Sequence, residues 1–133
     1  MAGCALLFPP DGVPIETDYT VHVFNNTTLP VQVAINGRAV GVAAPQDALE
    51  LRPSALPRLP WSIDATTPTG RLLLHVDVAP GSVVDVRNLD GSGSHTAPYG
   101  RLDLSCGQLR IVIGEITPSG PAPGPGLPGD CLP

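Results

Sequence analysis

From residue 17 to residue 116 the chain consists of short runs in which apolar and polar residues alternate, and turn residues separate the runs. Alternation with a period of two places successive side chains on opposite faces of a strand. The first two apolar faces comprise Tyr19, Val21 and Val23, followed by Val31, Val33 and Ile35. The pattern predicts half-buried β-strands over most of the chain.

Turn residues between these runs predict three hairpins. Asn36-Gly37 accepts the positive φ angles of a two-residue type I′ turn, which makes it the strongest hairpin signal. The turn at residues 67–70 predicts a second hairpin, and Cys106-Gly107 predicts a third. The core-facing residues predicted for the second hairpin are Trp61, Ile63, Leu72, Leu74 and Val76.

Residues 52–60 contain three prolines, at positions 53, 57 and 60, and therefore cannot form a central strand. We expect this segment to cross between two sheets. Prolines also order the backbone in advance and lower the entropy lost on binding, so Leu56 and Leu59 are predicted to be exposed binding residues.

Eight or nine short strands without a sustained helical period predict an all-β fold. The predicted architecture is an antiparallel two-sheet sandwich of immunoglobulin-like or transthyretin-like type, and a small closed β-barrel is the alternative. Residues 1–16 are assigned to an N-terminal tether, 17–116 to the β-sandwich domain and 117–133 to a Pro/Gly-rich C-terminal strap.

Composition points to an exported protein. Only 14% of the 133 residues are charged, against about 25% in ordinary soluble domains, and the chain contains 15 Gly and 17 Pro. The net charge of −5 leaves no basic stripe for phosphates, so no nucleic-acid partner is expected. No stretch approaches the roughly 18 consecutive apolar residues of a membrane-spanning helix.

The N-terminal motif Ala2-Gly3-Cys4 resembles the end of a bacterial lipobox. The resemblance implies that Cys4 is lipidated and forms a peripheral membrane tether. Together with the strands and the Pro/Gly tail, it makes the chain similar to bacterial lipoprotein-like exported proteins with a small β-domain. The implied location is extracytoplasmic, in the cell envelope or secreted.

The two remaining cysteines are Cys106, at a predicted turn, and Cys131, near the end of the strap. A disulfide between them would anchor an otherwise unsupported tail and close a loop of about 25 residues, worth about 3 kcal/mol in the chain-entropy model. The cysteines lack the paired spacing of a zinc site, so no metal site is predicted.

Residues 88–100 are predicted to form a long loop that carries a second set of binding residues, Asp90, His95 and Tyr99. An enzyme of hydrolase type with a site near Asp90, Ser94 and His95 is an alternative reading of this loop. His22 and His75 fall on the polar faces of their strands, where a solvated surface is expected and a cross-strand metal pair is the alternative. Asn25 and Asn26 each begin an Asn-X-Thr glycosylation motif.

The sequence therefore predicts a non-catalytic binding or structural module without a cofactor. Its expected partner is an envelope or extracellular protein or glycan. Self-association into an extracellular structural subunit through an exposed strand edge is the other alternative.

Overall fold

A computed structural model describes residues 19–82, 84–87, 93–96, 98–114 and 124–133. These residues contain ten strands and one short 3-10 helix. The elements are β1 (Val21–Asn25), β2 (Val31–Ile35), β3 (Arg38–Ala43), β4 (Asp47–Leu51), the 3-10 helix (Pro53–Ala55), β5 (Trp61–Thr66), β6 (Leu72–Val78), β7 (Val84–Arg87), β8 (Gly93–Thr96), β9 (Gly100–Leu104) and β10 (Gly107–Ile113).

Eight of these strands form two antiparallel sheets of four. The first sheet has the order β4-β1-β10-β9, and the second has the order β3-β2-β5-β6. β7 and β8 form a separate two-stranded hairpin. No strand ladder joins the two large sheets within the described residues, so the fold is the predicted two-sheet sandwich and not a closed barrel.

The three predicted hairpins and the predicted crossing between the sheets are confirmed. Asn36 and Gly37 have φ angles of 53° and 81°, and Ile35 pairs with Arg38 across the two-residue turn. β5 and β6 form the second hairpin, and β9 and β10 form the third. The proline segment leaves β4 of the first sheet and enters β5 of the second, so it crosses between the sheets as expected.

The core lies between the two large sheets and is built from the predicted alternating faces. Trp61 is only 2% exposed, and its indole Nε1 donates to the carbonyl of Pro57 at 2.8 Å. After Trp61, the largest fully buried side chains are Ile35, Ile63, Leu109, Ile111 and Ile113. Burial of the chain's only tryptophan at the start of β5 is therefore confirmed.

Two glycines allow the sheets to approach each other along the two sides of the sandwich. A Cβ on Gly41 of β3 would lie 2.9 Å from Leu49 of β4, and a Cβ on Gly100 of β9 would lie 2.6 Å from Val76 of β6. Each glycine thus leaves room for an aliphatic side chain from the opposite sheet.

The core prediction was wrong for Leu72. Its side chain is 56% exposed, although Ile63 and Val76 are buried and Leu74 packs half-buried against the core. The ladder between β5 and β6 shifts register between Ala65 and Thr66, which is a β-bulge. The bulge breaks the strict alternation on which the prediction depended.

Two strands were not predicted, and a third has different bounds. β4 was not recognised, and residues 93–96, predicted to belong to a loop from 88 to 100, form β8 and pair with β7. The strand predicted from Ser82 to Val86 runs from Val84 to Arg87. Pairing with a partner strand, rather than local hydrophobicity, defines these elements.

The turn after β1 is organised by Asn25, which is fully buried. Its amide Nδ2 donates to the carbonyls of Leu29, Ala43 and Ala44 at 2.7, 3.0 and 3.1 Å. Its Oδ1 accepts from the backbone and hydroxyl of Thr27. The Asn25 amide therefore ties the turn to the end of β3, whereas the neighbouring Asn26 is exposed.

Candidate functional site

A groove of about 510 Å³ opens between the tip of the β2–β3 hairpin and the proline segment. One wall consists of Ile35, Asn36, Arg38, Ala39 and Val40, and the other consists of residues 54–57. Leu56, which was predicted as a binding residue, lines this groove. We call this feature the hairpin groove.

Both walls of the hairpin groove are fixed by hydrogen bonds to the start of β5. Asn36 donates from Nδ2 to the carbonyl of Pro60 at 3.2 Å and accepts at Oδ1 from the Ser62 amide at 2.9 Å. On the other wall, Pro57 accepts the Trp61 indole hydrogen bond. The buried Trp61 therefore holds the wall formed by the proline segment, and the Asn36 turn holds the wall formed by the β2–β3 hairpin.

The chemistry of the groove is mixed. Val40 and Leu56 are half-buried and pack against the core, so they offer an apolar floor. Arg38 is exposed and has no ion-pair partner among the residues that the structure describes. Asn36 and Ser54 add polar groups to the rim. Such a surface suits a ligand with an apolar group and a carboxylate.

The groove requires one correction to the predicted binding residues. Leu59 is 7% exposed and belongs to the hydrophobic core. The expectation of an exposed Leu59 between prolines was therefore wrong, because the segment turns this side chain inward while Leu56 stays at the groove.

A second cluster lies on the outer face of the second sheet, around His75. Its Nδ1 lies 2.5 Å from Asp64 Oδ1, and its Nε2 lies 2.8 Å from Asp77 Oδ1. Asp64 is the direct cross-strand partner of His75, and Asp77 follows two residues later on the same face. The two nitrogens of one ring point in opposite directions, so the carboxylates bind an imidazolium rather than converging on a shared metal ion.

Hydrogen bonds to Asp64 and then to Asp77 raise the pKa of His75 above its usual value of 6.5. The folded state therefore favours the imidazolium, and the stability it contributes is present below pH 6.5 and is lost as pH rises through the higher folded pKa. We expect the free energy of unfolding to fall across this window in urea titrations. Asp64→Asn should lower the His75 midpoint measured by NMR, and His75→Gln should remove this contribution to the pH dependence. A His75 midpoint unchanged by Asp64→Asn would contradict the role of this carboxylate.

The alternative of a metal site between His22 and His75 was wrong. His22 lies on β1 of the first sheet and His75 on β6 of the second. His22 lies between the buried Val21 and Val23, and the exposed His75 lies between the half-buried Leu74 and the buried Val76. The two rings therefore point away from the core on opposite faces of the sandwich. No group of three metal-ligating side chains with suitable geometry occurs in the described ranges.

The outer face of the first sheet carries a feature that sequence reasoning missed. His22 and Phe24 stack with ring centroids 5.9 Å apart, and the Arg110 guanidinium lies 5.1 Å from the centre of the Phe24 ring. Arg101 is the cross-strand partner of Arg110 and pairs with Asp103 at 3.5 Å. Phe24 is also the cross-strand partner of Arg110, so a predicted β1–β10 pairing would have revealed this contact.

The third cluster is the pair of thiols. Cys106 and Cys131 are both free, and their sulfur atoms lie 2.6 Å apart. Cys106 sits in the β9–β10 turn, where the backbone and side chain of Thr28 hydrogen-bond to its sulfur. The hydroxyl of Ser105 lies 3.2 Å from the Cys131 sulfur. The structure thus brings together the two cysteines that were predicted to pair.

Residues 124–133, which we call the docked tail, carry Cys131 to this turn. Ser105 donates from its hydroxyl to the Leu127 carbonyl at 3.0 Å. Arg71 donates from Nη2 to the carbonyls of Asp130 and Leu132 at 2.9 and 2.7 Å. A carboxylate oxygen of Asp130 accepts from the Leu127 amide and closes the turn between them.

The other predicted site residues do not form one cluster within the described part of the chain. Cys4 and Asp90 lie outside the described residues, as does the tether from 1 to 16. Ser94 and His95 lie on β8, and Tyr99 is exposed immediately before β9. Their predicted roles in binding or hydrolysis stay predictions.

The described residues include no helix with the length and apolar character needed to cross a membrane.

Comparisons with known proteins give no family assignment. The chain matched no protein-family model, no curated protein and no solved structure.

Proposed function

We propose that this protein is a non-catalytic binding module that recognises an extended peptide segment of an envelope or extracellular protein in the hairpin groove. The observation that carries the proposal is the groove itself, in which an apolar floor lies beside a strand edge and an arginine without an ion-pair partner among the described residues. The favoured ligand segment has an apolar side chain for Val40 and Leu56 and a carboxylate for Arg38.

An extended peptide fits because the groove meets the edge of a strand. The groove is lined by three consecutive β3 residues, Arg38, Ala39 and Val40. Successive side chains of a strand point to opposite faces of the sheet, so a groove that reaches all three runs along the edge of the strand. β3 is an edge strand of the second sheet, so no strand among the described residues pairs with its outer backbone groups. Peptides add to such edges through main-chain hydrogen bonds, while side-chain pockets provide specificity.

The non-catalytic part of the proposal is supported by the His75 cluster. Both of its ring nitrogens are engaged by carboxylates, so neither is available to take a proton from a nucleophile. Among the described residues that line the groove, Arg38, Asn36 and Ser54 carry polar side chains, and none of the lining residues offers an imidazole or a carboxylate. This set of groups suits binding better than bond cleavage.

The proposal includes an extracytoplasmic location with a lipid tether at Cys4 and an oxidised Cys106–Cys131 pair. The low charge content, the Ala2-Gly3-Cys4 motif and the adjacent thiols support it. Metabolic labelling with a palmitate analogue in a bacterial host tests the tether. Loss of the label in Cys4→Ser is the expected result, and equal labelling of both proteins would refute lipidation.

The binding site is tested with a displayed library of random 12-residue peptides. We expect selected peptides to combine an apolar residue with an acidic residue and to shift NMR signals of residues 35–40 and 54–57. Arg38→Glu and Leu56→Ser should each weaken binding at least about tenfold, the loss of one charged or apolar anchor contact. Arg38 is exposed, so its variant tests the site without disturbing the core.

Val42→Ser is the matched control, because Val42 is a 55% exposed residue of the same edge strand that does not line the groove. Its affinity for the selected peptides should equal that of the parent protein. Peptides whose signals map elsewhere, or selective binding to glycans on an array with no peptide selected, would overturn the peptide proposal.

Self-association is the second candidate, and two exposed side chains favour it. Val42 on β3 and Leu72 on β6 place large aliphatic groups on both edge strands of the second sheet. Light scattering coupled to size-exclusion chromatography distinguishes the two candidates. A dimer that Val42→Lys or Leu72→Lys converts to a monomer would support self-association.

A further inference from the structure

We propose that Cys106 and Cys131 form a thiol–disulfide latch, in which oxidation by an incoming disulfide fastens the docked tail to the β9–β10 turn. The proposal rests on the position of the two sulfurs and on the contacts that hold the tail there. It deepens the oxidised Cys106–Cys131 pair of the proposed function and does not depend on what the hairpin groove binds.

The first step of the latch belongs to Cys106. Its sulfur is half-buried in a turn and receives hydrogen bonds from Thr28 and from the Cys131 thiol. Burial raises the pKa of Cys106, but these hydrogen bonds outweigh burial and leave its pKa below the usual value. The hydrogen bond to Cys106 raises the pKa of Cys131. At neutral pH the thiolate of the pair is therefore concentrated on Cys106, which makes it the attacking nucleophile.

The exchange proceeds in two balanced steps. The Cys106 thiolate attacks one sulfur of the incoming disulfide, forms a mixed disulfide and releases one thiolate. Cys131 then attacks the Cys106 sulfur, forms the intramolecular bond and releases the second thiol, which takes up the Cys131 proton. Both protein sulfurs are oxidised, and the incoming disulfide is reduced to one thiolate and one thiol; the thiolate takes up from the solvent the proton that Cys106 lost on ionisation.

Contacts remote from the sulfurs hold Cys131 in place for the second step. A Cβ on Gly126 would lie 2.4 Å from the Ser105 amide nitrogen and 2.7 Å from the Leu104 carbonyl carbon. The tail therefore packs directly on the backbone of the β9–β10 turn at Gly126. Arg71 fixes the carbonyls on both sides of Cys131. These contacts raise the effective concentration of one thiol at the other.

The latch is tested on the full chain in a Cys4→Ser background, so that only the two thiols remain. The reduced protein is equilibrated with glutathione and glutathione disulfide, and mass spectrometry measures the intramolecular disulfide and the mixed disulfide. The ratio of protein disulfide to dithiol, taken together with the concentrations of glutathione and glutathione disulfide, gives the effective concentration of the two thiols. We expect the intramolecular disulfide to predominate over the mixed disulfide.

Two glycines of the docked tail provide a matched comparison. Gly126→Ala should lower the effective concentration at least about tenfold, because its methyl group meets backbone atoms that cannot move aside cheaply. Gly124→Ala should leave it within about twofold of the parent value, because a Cβ there has no neighbour within 4 Å. Arg71→Ala should also lower it, through a contact that does not involve either glycine.

Competitive labelling with iodoacetamide near neutral pH tests the order of the steps, and Cys106 should react faster than Cys131. The latch is overturned if the parent protein accumulates glutathione on Cys106 while Cys131 stays free. It is also overturned if Gly126→Ala, Gly124→Ala and the parent have the same effective concentration. These measurements contain no peptide, so they fail or succeed separately from the proposed binding function.

Discussion

Replacing Trp61 by alanine is expected to lower the free energy of unfolding by about 3–5 kcal/mol. The indole is almost fully buried in the core and donates a hydrogen bond to the Pro57 carbonyl. Its removal leaves a cavity beside β5 and frees the proline segment from its anchor. Urea unfolding followed by circular dichroism measures the loss, because the chain has no other tryptophan for fluorescence.

Two further variants interpret this loss: Trp61→Phe isolates the hydrogen bond to Pro57, and Leu72→Ala is the control. Trp61→Phe keeps an aromatic ring but removes the hydrogen bond to Pro57, so it should cost less than Trp61→Ala. Leu72→Ala truncates a side chain that is apolar like Trp61 but exposed, so it should change the free energy of unfolding by less than about 0.5 kcal/mol. Equal losses for Trp61→Ala and Leu72→Ala would contradict the described core.

Replacing Asn25 by alanine is expected to cost roughly 2–4 kcal/mol, which is large for a polar residue. The substitution removes the amide donor from three backbone carbonyls and the acceptor of two Thr27 groups. Buried polar groups left without partners are costly because they also lose water. The same urea titration measures the loss.

Asn26→Ala is the control, because it changes the same residue type one position later on the exposed surface. Its effect should stay within about 0.5 kcal/mol. A large loss in Asn26→Ala together with a small loss in Asn25→Ala would show that the described turn is wrong. The comparison also bears on the two glycosylation motifs, since only Asn26 presents its side chain at the surface of the folded chain.

The parts of the fold that could be predicted are those specified by local chemistry. Asn36-Gly37 determines its turn through positive φ angles, and alternation assigns Val21, Val23 and Trp61 to the core. Prediction failed where another strand decides the outcome. The bulge at Ala65 turns Leu72 outward, and β8 exists because it pairs with β7.

The candidate site was predictable to a similar extent. Leu56 was identified from its prolines, but its neighbours across the groove come from the β2–β3 hairpin, and no local pattern joins two such distant segments. The proximity of Cys106 and Cys131 followed from a tail that needed an anchor. The His75 cluster was missed, although the predicted β5–β6 hairpin already placed Asp64 near His75.

The position of β1 in the middle of the first sheet has a consequence for how the chain folds. Val21 pairs with Leu51 on one side and with Ile113 on the other, so one of its partners belongs to β10, the last strand among the described residues. Such non-local pairing is slow, on the order of milliseconds to seconds, because a long loop must close first. The nascent chain therefore cannot complete the first sheet until β10 is available. A chain that ends before Gly107 loses a central strand rather than an edge strand.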